Sequence, residues 1–320
     1  MSVLRSPVPG LLILTYHGIG KPKWMEPSLY TSEGHFEKQL NYLARHYRML
    51  PLEGAIELMG RGDPLPDKSV ALTFDDGYRD NYEKAFPILK GYGCSATIFV
   101  ATEPLETGKS LWPNRLYYWC LTTKASELRF HLQGLEEDPK VFKLRTARQR
   151  KSAFYGIKSL VIRVDSRRRD ALLSEIAGAL GFEADKDPFN EAAMLTWAQL
   201  REMAKDGISI GSHTMTHPVL TTLCPEDAAR ELTQSKALLE SKLQRPITVF
   251  AYPFGEPAHF SPEIQAMVKK AGYSAACSAI EGINFPGVDR FALARIHIRD
   301  EPASMFALRL LWASIKSTRR

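Results

Sequence analysis

The sequence has few cysteines, no long hydrophobic run and no repeated motif. Its four cysteines, Cys94, Cys120, Cys224 and Cys277, lie far apart and form no C-x-x-C pair, which excludes a zinc knuckle and a dense disulfide framework and favours a reducing compartment. No apolar run approaches the roughly 20 residues that a membrane-spanning helix needs. The early run at 11–14 ends in Tyr16-His17 rather than in a cleavage site, so we expect no signal peptide. These absences predict a cytoplasmic protein, with peripheral contact at the inner face of a membrane left open.

Positive charge is concentrated in one segment of the chain. With 44% hydrophobic and 24% charged residues, the composition is that of a folded protein rather than a disordered one. Residues 140–169 contain eleven basic side chains and a single acidic one, Asp165, so this segment carries +10 while the whole chain carries +6. The segment predicts either a solvated helix face or contact with an anionic membrane or a lipid-phosphate-linked glycan. Because no nucleic-acid-binding motif accompanies the charge, we expect no nucleic-acid partner.

Short β-branched runs recur along the chain and predict a parallel sheet. Several are continuously apolar rather than alternating, which is typical of strands buried on both faces, and helical patterns separate most of them. This alternation favours an α/β fold, either doubly wound or a barrel, and we predict a distorted (β/α) barrel of about seven strands. The predicted strands are 11–17, 69–76, 96–101, 207–213, 247–253, 273–279 and 291–298.

One interval between predicted strands is too long for a single crossover. About 105 residues separate the strand ending near Ala101 from the strand starting near Gly207, where a crossover helix needs about a dozen. We therefore interpret residues 1–320 as one domain, with a basic helical insertion at about 105–195.

Unusual polar residues follow four of the predicted strands. They are Tyr16-His17, Asp75-Asp76-Gly77, His213 with His217, and Tyr252-Pro253-Phe254-Gly255. In parallel α/β folds, the carboxyl ends of the strands form the edge where sites are assembled. The sequence therefore predicts a functional site at this edge.

Two histidines and a carboxylate at this edge form a candidate metal site. An isolated Asp-Asp-Gly is more often a helix-capping turn, and a lone loop histidine is more often a hydrogen-bonded structural residue. His213 and His217 in an H-x-x-x-H spacing, together with one of these aspartates, make a three-ligand set that leaves a fourth position for water. In combination, the two motifs favour a catalytic metal site over the structural interpretations.

The motifs resemble those of the polysaccharide deacetylases, carbohydrate esterase family four, also called the NodB-homology domain. The resemblance is carried by Thr73-Phe74-Asp75-Asp76-Gly77 and by Ser212-His213-Thr214 followed by His217-Pro218. It extends to Phe250-Ala251-Tyr252-Pro253-Phe254-Gly255 and to Tyr16-His17-Gly18, a motif similar to that of the branch with an N-terminal Tyr-His. Together these blocks cover most of the chain.

The resemblance implies a role for each matching residue. Asp76, His213 and His217 would bind one divalent metal ion, with zinc expected first and cobalt or nickel as alternatives. Asp75 would be the general base, and the backbone N–H groups around Phe254 would hold the oxyanion, beside Tyr252. Trp112, which Leu111-Trp112-Pro113 places in a loop, is our candidate for stacking on the sugar.

The general acid has two candidates, His17 and His297. In many family members the acid lies near the end of the domain, whereas in the Tyr-His branch it lies near the start. We prefer His17 because the L-x-H-D pattern usual at the later site is absent, since His297 is followed by Ile298.

One position departs from the family pattern. Ala251 stands where an arginine commonly pairs with the catalytic base. An aspartate in a closed site needs a cation or donor to stay ionised. We predict that Arg295 supplies it.

The resemblance implies a metal-dependent N-deacetylase that hydrolyses the acetamido group of an amino sugar in a surface polysaccharide or its lipid-linked precursor. A deformylase or other amidase on a formamido or other acylamino sugar could use the same site. From another class, a non-catalytic glycan-binding or membrane-binding protein could keep the fold. Loss of Asp75 or of a metal ligand would favour it, and Asp75, Asp76, His213 and His217 are all present.

Overall fold

Short strands and helices alternate along the chain in the computed structural model, which describes residues 10–22, 24–131, 139–189 and 193–317. Residues 1–9, on which the expected lack of a signal peptide depends, and residues 132–138 and 190–192 of the predicted insertion lie outside the described residues. The strands are β1 Leu11–Tyr16, β2 Gly18–Ile19, β3 Tyr30–Thr31, β4 Arg48–Met49, β5 Ser69–Phe74, β6 Thr97–Val100, β7 Glu127–Phe130, β8 Lys140–Lys143, β9 Ser209–Ser212, β10 Val249–Ala251, β11 Ala275–Cys277 and β12 Ile296–His297. The α-helices are α1 Glu33–His46, α2 Leu52–Arg61, α3 Phe86–Gly91, α4 Thr102–Thr107, α5 Trp112–Thr122, α6 Ala147–Val161, α7 Ser166–Ala179, α8 Trp197–Lys205, α9 Pro225–Leu243, α10 Pro262–Lys270 and α11 Ala303–Ser317. Within these described ranges, no helix is both long and apolar enough to cross a membrane.

Seven parallel strands form one curled sheet in the order β11-β10-β9-β6-β5-β1-β12. They correspond to the seven predicted strands, so the predicted distorted (β/α) barrel is confirmed. The two-residue strand β4, which pairs with β5, was missed because it is too short to produce a sequence pattern. Because all seven strands run in the same direction, their carboxyl ends meet at one edge.

Alternate residues of these strands face the barrel interior. A buried apolar cluster fills the interior and includes Leu11, Ile13, Ala71, Phe99 and Val249. The same period of two continues to Thr15 in β1 and Thr73 in β5, whose hydroxyl oxygens lie 3.2 Å apart. His17 and Asp75 follow two residues later in each chain segment. The interior therefore changes from apolar to polar toward the carboxyl ends of the strands.

The chain between β6 and β9 forms a separate packed unit at this edge. It contains α5, the antiparallel hairpin β7–β8, α6 and α7, with its own buried cluster around Trp119, Phe154 and Leu173. Some of its basic charge has an internal role. Arg150 donates to the carbonyl oxygens of Leu144 and Leu121, and the buried Arg169 donates to that of Thr216.

Asp300, which precedes α11, caps the N-terminus of α1 from a distant part of the chain. Its carboxylate accepts hydrogen bonds from the backbone N–H and the hydroxyl of Ser32, and it lies against His35 Nδ1. Lys21 Nζ lies 3.4 Å from the second oxygen. Although burial by itself raises the pKa of Asp300, these bonds lower it to about 2. The contact joins the first helix of the barrel to the segment that follows the last strand.

We expect Asp300→Ala to lower the free energy of unfolding by about 1 kcal/mol, as the loss of a helix cap typically does. Because the pKa of Asp300 is depressed on folding, its stabilisation is present above the ordinary value of 3.8 and is lost as the pH falls toward 2. Urea unfolding of the wild type and of Asp300→Ala at pH 7, and again at pH 2.5, roughly midway through that loss, measures the difference in their free energies of unfolding. Asp67→Ala, at an exposed position, is the control. A loss that is equal at both pH values, or absent at pH 7, would contradict this role.

Candidate functional site

A cavity of about 390 Å³ opens at the carboxyl edge of the sheet. Its wall contains nearly all of the residues singled out from the sequence, namely His17, Asp75, Asp76, His213, His217, Tyr252, Phe254, Arg295 and His297. They come from the carboxyl ends of β1, β5, β9 and β10 and from the two residues, Arg295 and His297, on either side of Ile296 at β12. The parallel register brings these segments together although they are spread over almost the whole chain.

Asp76, His213 and His217 form a buried cluster. Asp76 Oδ1 lies 3.4 Å from His213 Nε2 and 3.3 Å from His217 Nε2, and one ligand atom from each of the three lies within 4.8 Å of the others. Although burial by itself raises the pKa of Asp76, hydrogen bonds to the two imidazoles hold it well below its usual range. The carboxyl group is therefore ionised and aimed at two imidazole nitrogens.

The orientation of His213 suits metal binding. Its Nδ1 lies 2.7 Å from the carbonyl oxygen of Ala251, to which it donates, so Nε2, which faces Asp76, is the nitrogen left to bind a metal ion. Two imidazoles and one carboxylate, buried and convergent, are the donor set of catalytic zinc and related divalent sites. The residues present therefore fit a divalent metal ion.

Strained backbone supports this cluster. Asp76, Thr214, His217 and Phe254 all have positive φ, at 79°, 67°, 58° and 61°. Non-glycine residues rarely adopt this left-handed region, and such strain persists only where surrounding contacts enforce it. Gly77, at φ 82°, continues the turn after Asp76.

The loop that carries His217 is fixed by an acidic side chain on α9. The carboxylate of Glu231 accepts hydrogen bonds from the backbone N–H groups of Met215 and Thr216 and from the Thr216 hydroxyl, at 2.7, 3.1 and 2.7 Å. Arg169 of α7 donates to the Thr216 carbonyl oxygen on the other side. The position of His217 therefore depends on both the barrel and the unit between β6 and β9.

Asp75 forms a buried two-point ion pair with Arg295. Arg295 Nη1 and Nη2 donate to the two carboxylate oxygens at 2.8 and 2.7 Å, and its Nε donates to the carbonyl oxygen of Ser278. Each residue is only 3% exposed. Although burial by itself raises the pKa of Asp75, the Arg295 charge and then the charge of His213 lower it. Asp75 is therefore an ionised carboxylate beside Asp76, His213 and His217, and it is paired with Arg295 as the sequence predicted.

The two candidate acids lie side by side, with ring centroids 5.1 Å apart. His297 Nε2 is 3.0 Å from the carbonyl oxygen of Ser28. By contrast, His17 Nδ1 has no hydrogen-bond partner within the described part of the chain. Burial lowers the pKa of His17 to about 4, against the opposing effect of Asp76 and Asp75.

Trp112 is not placed as the sequence suggested. It begins helix α5 rather than lying in a loop, it is 4% exposed, and it is absent from the cavity wall. Proline at the second helical position starts the helix here. The indole N–H donates to the His217 carbonyl oxygen, and Leu111 and Pro113 face the cavity instead.

Phe254 and Tyr252 take different positions in the cavity. The Phe254 ring lies 4.9 Å from that of His217, between centroids. Tyr252 is 1% exposed, and its hydroxyl donates to the Phe291 carbonyl oxygen. Burial raises the pKa of Tyr252, so its phenol is neutral, and its ring stacks on that of Phe260.

Several cavity residues were not found by sequence reasoning. Tyr78, whose hydroxyl donates to Asn114 Oδ1, directly follows the Asp75-Asp76-Gly77 motif. Its position next to this motif could have identified it as a site residue. Glu256 and His259 follow Phe254, and the backbone N–H of Glu256 donates to His259 Nδ1. The side chains from α6 had no sequence signal, because their place depends on how the helix packs against the barrel.

Comparison with known proteins gives a consistent result. The family model described as "Polysaccharide deacetylase" matches residues 62–117 and 134–276, more than half of the chain. "Putative polysaccharide deacetylase YxkH" of Bacillus subtilis (strain 168) is 25% identical over 289 residues, which cover 90% of this chain and 71% of that protein.

Two further similarities concern a shorter segment and the fold. "Poly-beta-1,6-N-acetyl-D-glucosamine N-deacetylase" of Staphylococcus aureus is 32% identical over 104 residues, covering 28% of this chain and 36% of that protein. The solved structure of the Streptococcus pyogenes deacetylase PplD in complex with acetate has a TM-score of 0.62 at 22% identity, and the match covers 95% of this chain and 97% of that one. At this identity the structural likeness establishes a shared fold.

We expect Glu231→Ala to weaken divalent metal binding by about tenfold or more, because ligands that lose their supporting hydrogen bonds typically lose 10- to 100-fold in affinity. Calorimetric titration of the metal-free protein with zinc measures the change. Glu226→Ala, exposed on the same helix, is the matched control. Unchanged zinc affinity in Glu231→Ala would show that this carboxylate does not position His217.

Proposed function

The chain belongs to the polysaccharide deacetylase family and is a hydrolase of non-peptide carbon–nitrogen bonds, and from this premise we propose that it removes the acetyl group of an N-acetylated amino sugar in a metal-dependent reaction. The substrate proposed is a surface polysaccharide or its lipid-linked precursor. The observation that carries the proposal is the meeting of Asp76, His213 and His217 with an ionised Asp75 in one cavity. The name of the Staphylococcus aureus relative supports an N-acetylated sugar as the class of substrate.

Asp76, His213 and His217 would hold the metal, with zinc expected first and cobalt or nickel as alternatives. A divalent ion at this position supplies Lewis acidity, which lowers the pKa of water toward about 7 and polarises an acyl carbonyl. The buried carboxylate and the Ala251 carbonyl behind His213 fix the donor atoms before the substrate arrives.

Asp75 is the proposed general base. Arg295 holds it in the ionised form, and both carboxylate oxygens are fixed by the guanidinium. It can therefore take the proton of the attacking water without first having to lose its own. Arg295 acts through Asp75 and is a positioning residue.

His17 is the proposed general acid, because its Nδ1 is free of partners within the described residues whereas His297 Nε2 is engaged by Ser28. With a pKa of about 4, His17 is neutral at pH 7 before the reaction. It takes up a proton from solvent as negative charge develops at the acyl oxygen and then donates that proton to the departing amine. Backbone N–H groups around Phe254 are proposed as donors to that oxygen.

The cytoplasmic location stays a prediction from the sequence.

We expect the zinc-loaded protein to release acetate from N-acetylglucosamine oligosaccharides. Chelation should abolish release and metal add-back should restore it, and Asp75→Asn and His217→Ala should each lower kcat by at least 100-fold. His46→Ala is the control, since His46 ends α1 at the opposite edge of the sheet. Acetate and formate are quantified over a panel of N-acetyl and N-formyl amino sugars.

The panel separates the alternatives. Release of formate without acetate would replace the deacetylase by a deformylase that uses the same residues. If the metal-loaded protein releases neither acid, or if both variants stay fully active, the proposed function is wrong.

A further inference from the structure

One wall of the active-site cavity comes from α6, within the basic segment, rather than from the barrel. Tyr155, Lys158 and Ser159 of this helix line the same cavity as Asp75 and the three proposed metal ligands. Lys158 Nζ lies 5.7 Å from the centroid of the Phe254 ring, and that ring is 4.9 Å from the ring of His217. The Phe254 ring is therefore close both to the Lys158 ammonium group and to the imidazole of His217, a proposed metal ligand.

Lys158 is held in place by a buried acidic residue outside the helix. Glu26 is 7% exposed and accepts hydrogen bonds from the hydroxyls of Ser28 and Tyr155, at 2.6 and 2.7 Å. Lys158 Nζ lies 3.6 Å from its other oxygen, beyond ordinary hydrogen-bond distance. The two hydroxyls share one oxygen of Glu26 and Lys158 faces only the other, so the ammonium group, which has three donors, keeps donors for a ligand in the cavity.

The exposed side of α6 continues outward from Lys158 as a basic and aromatic face. Arg148, Lys151 and Tyr155 are exposed and follow at spacings of three and four, so they lie on one side of the helix. Tyr155 is 41% exposed, and Lys151 Nζ lies 6.0 Å from its ring centroid. From Arg148 to Lys158 the helix rises by roughly 15 Å. We call Arg148, Lys151, Tyr155, Lys158 and Ser159 the α6 face.

We propose that the α6 face binds the glycan chain next to the reacting sugar, and that this chain is acidic, with carboxylate or phosphate groups on neighbouring units. The inference rests on the proposed function and names its substrate class. Two observations carry it: the face is continuous with the active-site cavity, and its cations complement an anionic chain. Lys158 meets the anionic group nearest the reaction, while Arg148 and Lys151 meet groups further along the chain.

The test compares kcat/KM for acetate release from matched oligosaccharides of equal length. One is a neutral N-acetylglucosamine oligomer, one alternates N-acetylglucosamine with a hexuronic acid, and one carries phosphodiesters between N-acetylglucosamine units. We expect the wild type to prefer at least one acidic substrate by tenfold or more at low salt, and the preference to shrink as salt is raised.

Two variants locate the preference on the α6 face. Lys158→Met removes the inner charge and keeps an aliphatic stem, and Arg148→Glu/Lys151→Glu reverses the outer charges. Each should lower the ratio of acidic to neutral kcat/KM by tenfold or more. Lys269→Glu/Lys270→Glu is the matched control, because these exposed residues end α10 just before β11, at the opposite edge of the sheet. Zinc affinity and the circular dichroism spectrum check that each variant is folded.

The outcomes separate the two proposals. Turnover of the neutral oligomer without an acidic preference would overturn the substrate class and leave the proposed function intact, whereas no turnover of any oligomer would overturn the proposed function. Equal losses on neutral and acidic substrates in the variants would also overturn the substrate class. Binding to phosphatidylglycerol vesicles that is lost in Arg148→Glu/Lys151→Glu, while the acidic preference is kept, would make the face a membrane surface instead.

Discussion

The ion pair between Arg295 and Asp75 is the contact on which the rest of the site depends. Its two residues are 220 positions apart, and they meet because β12 pairs with β1, which pairs with β5. Burying either charge alone is strongly unfavourable, so the curled sheet must bring both together at the same edge. The same edge then holds Asp76 and the two histidines, with Asp75 ionised beside them.

Much of this arrangement is visible in the sequence. Continuous β-branched runs predict buried parallel strands, and residues that follow such strands must share one edge. This rule alone places His17, Asp75, Asp76, His213 and His217 together at one edge of the sheet. Alanine stands at position 251, where the family commonly has an arginine. Because a closed site that holds an ionised aspartate needs a cation, the sequence also predicts that Arg295 supplies it.

What the sequence could not predict depends on packing between segments that no local pattern connects. The helix that starts at Trp112, with Pro113 as its second residue, buries the indole instead of exposing it to a sugar. Glu231 is one of many acidic residues on a helix, and only the fold places it under the His217 loop. The net charge of +10 for residues 140–169 also includes basic residues with two different roles. Arg150 and Arg169 bind backbone carbonyl oxygens, whereas Lys158 faces the cavity.

The central claim is that Arg295 keeps Asp75 ionised as the base, and the pH dependence of kcat/KM for acetate release tests it most directly. The base works only when ionised, so activity falls as the pH drops through its pKa. Removing the guanidinium in Arg295→Ala takes away the charge that lowers this pKa and leaves the burial that raises it. The account predicts that the acidic limb moves to higher pH in Arg295→Ala. An acidic limb at the same pH as in the wild type would contradict it.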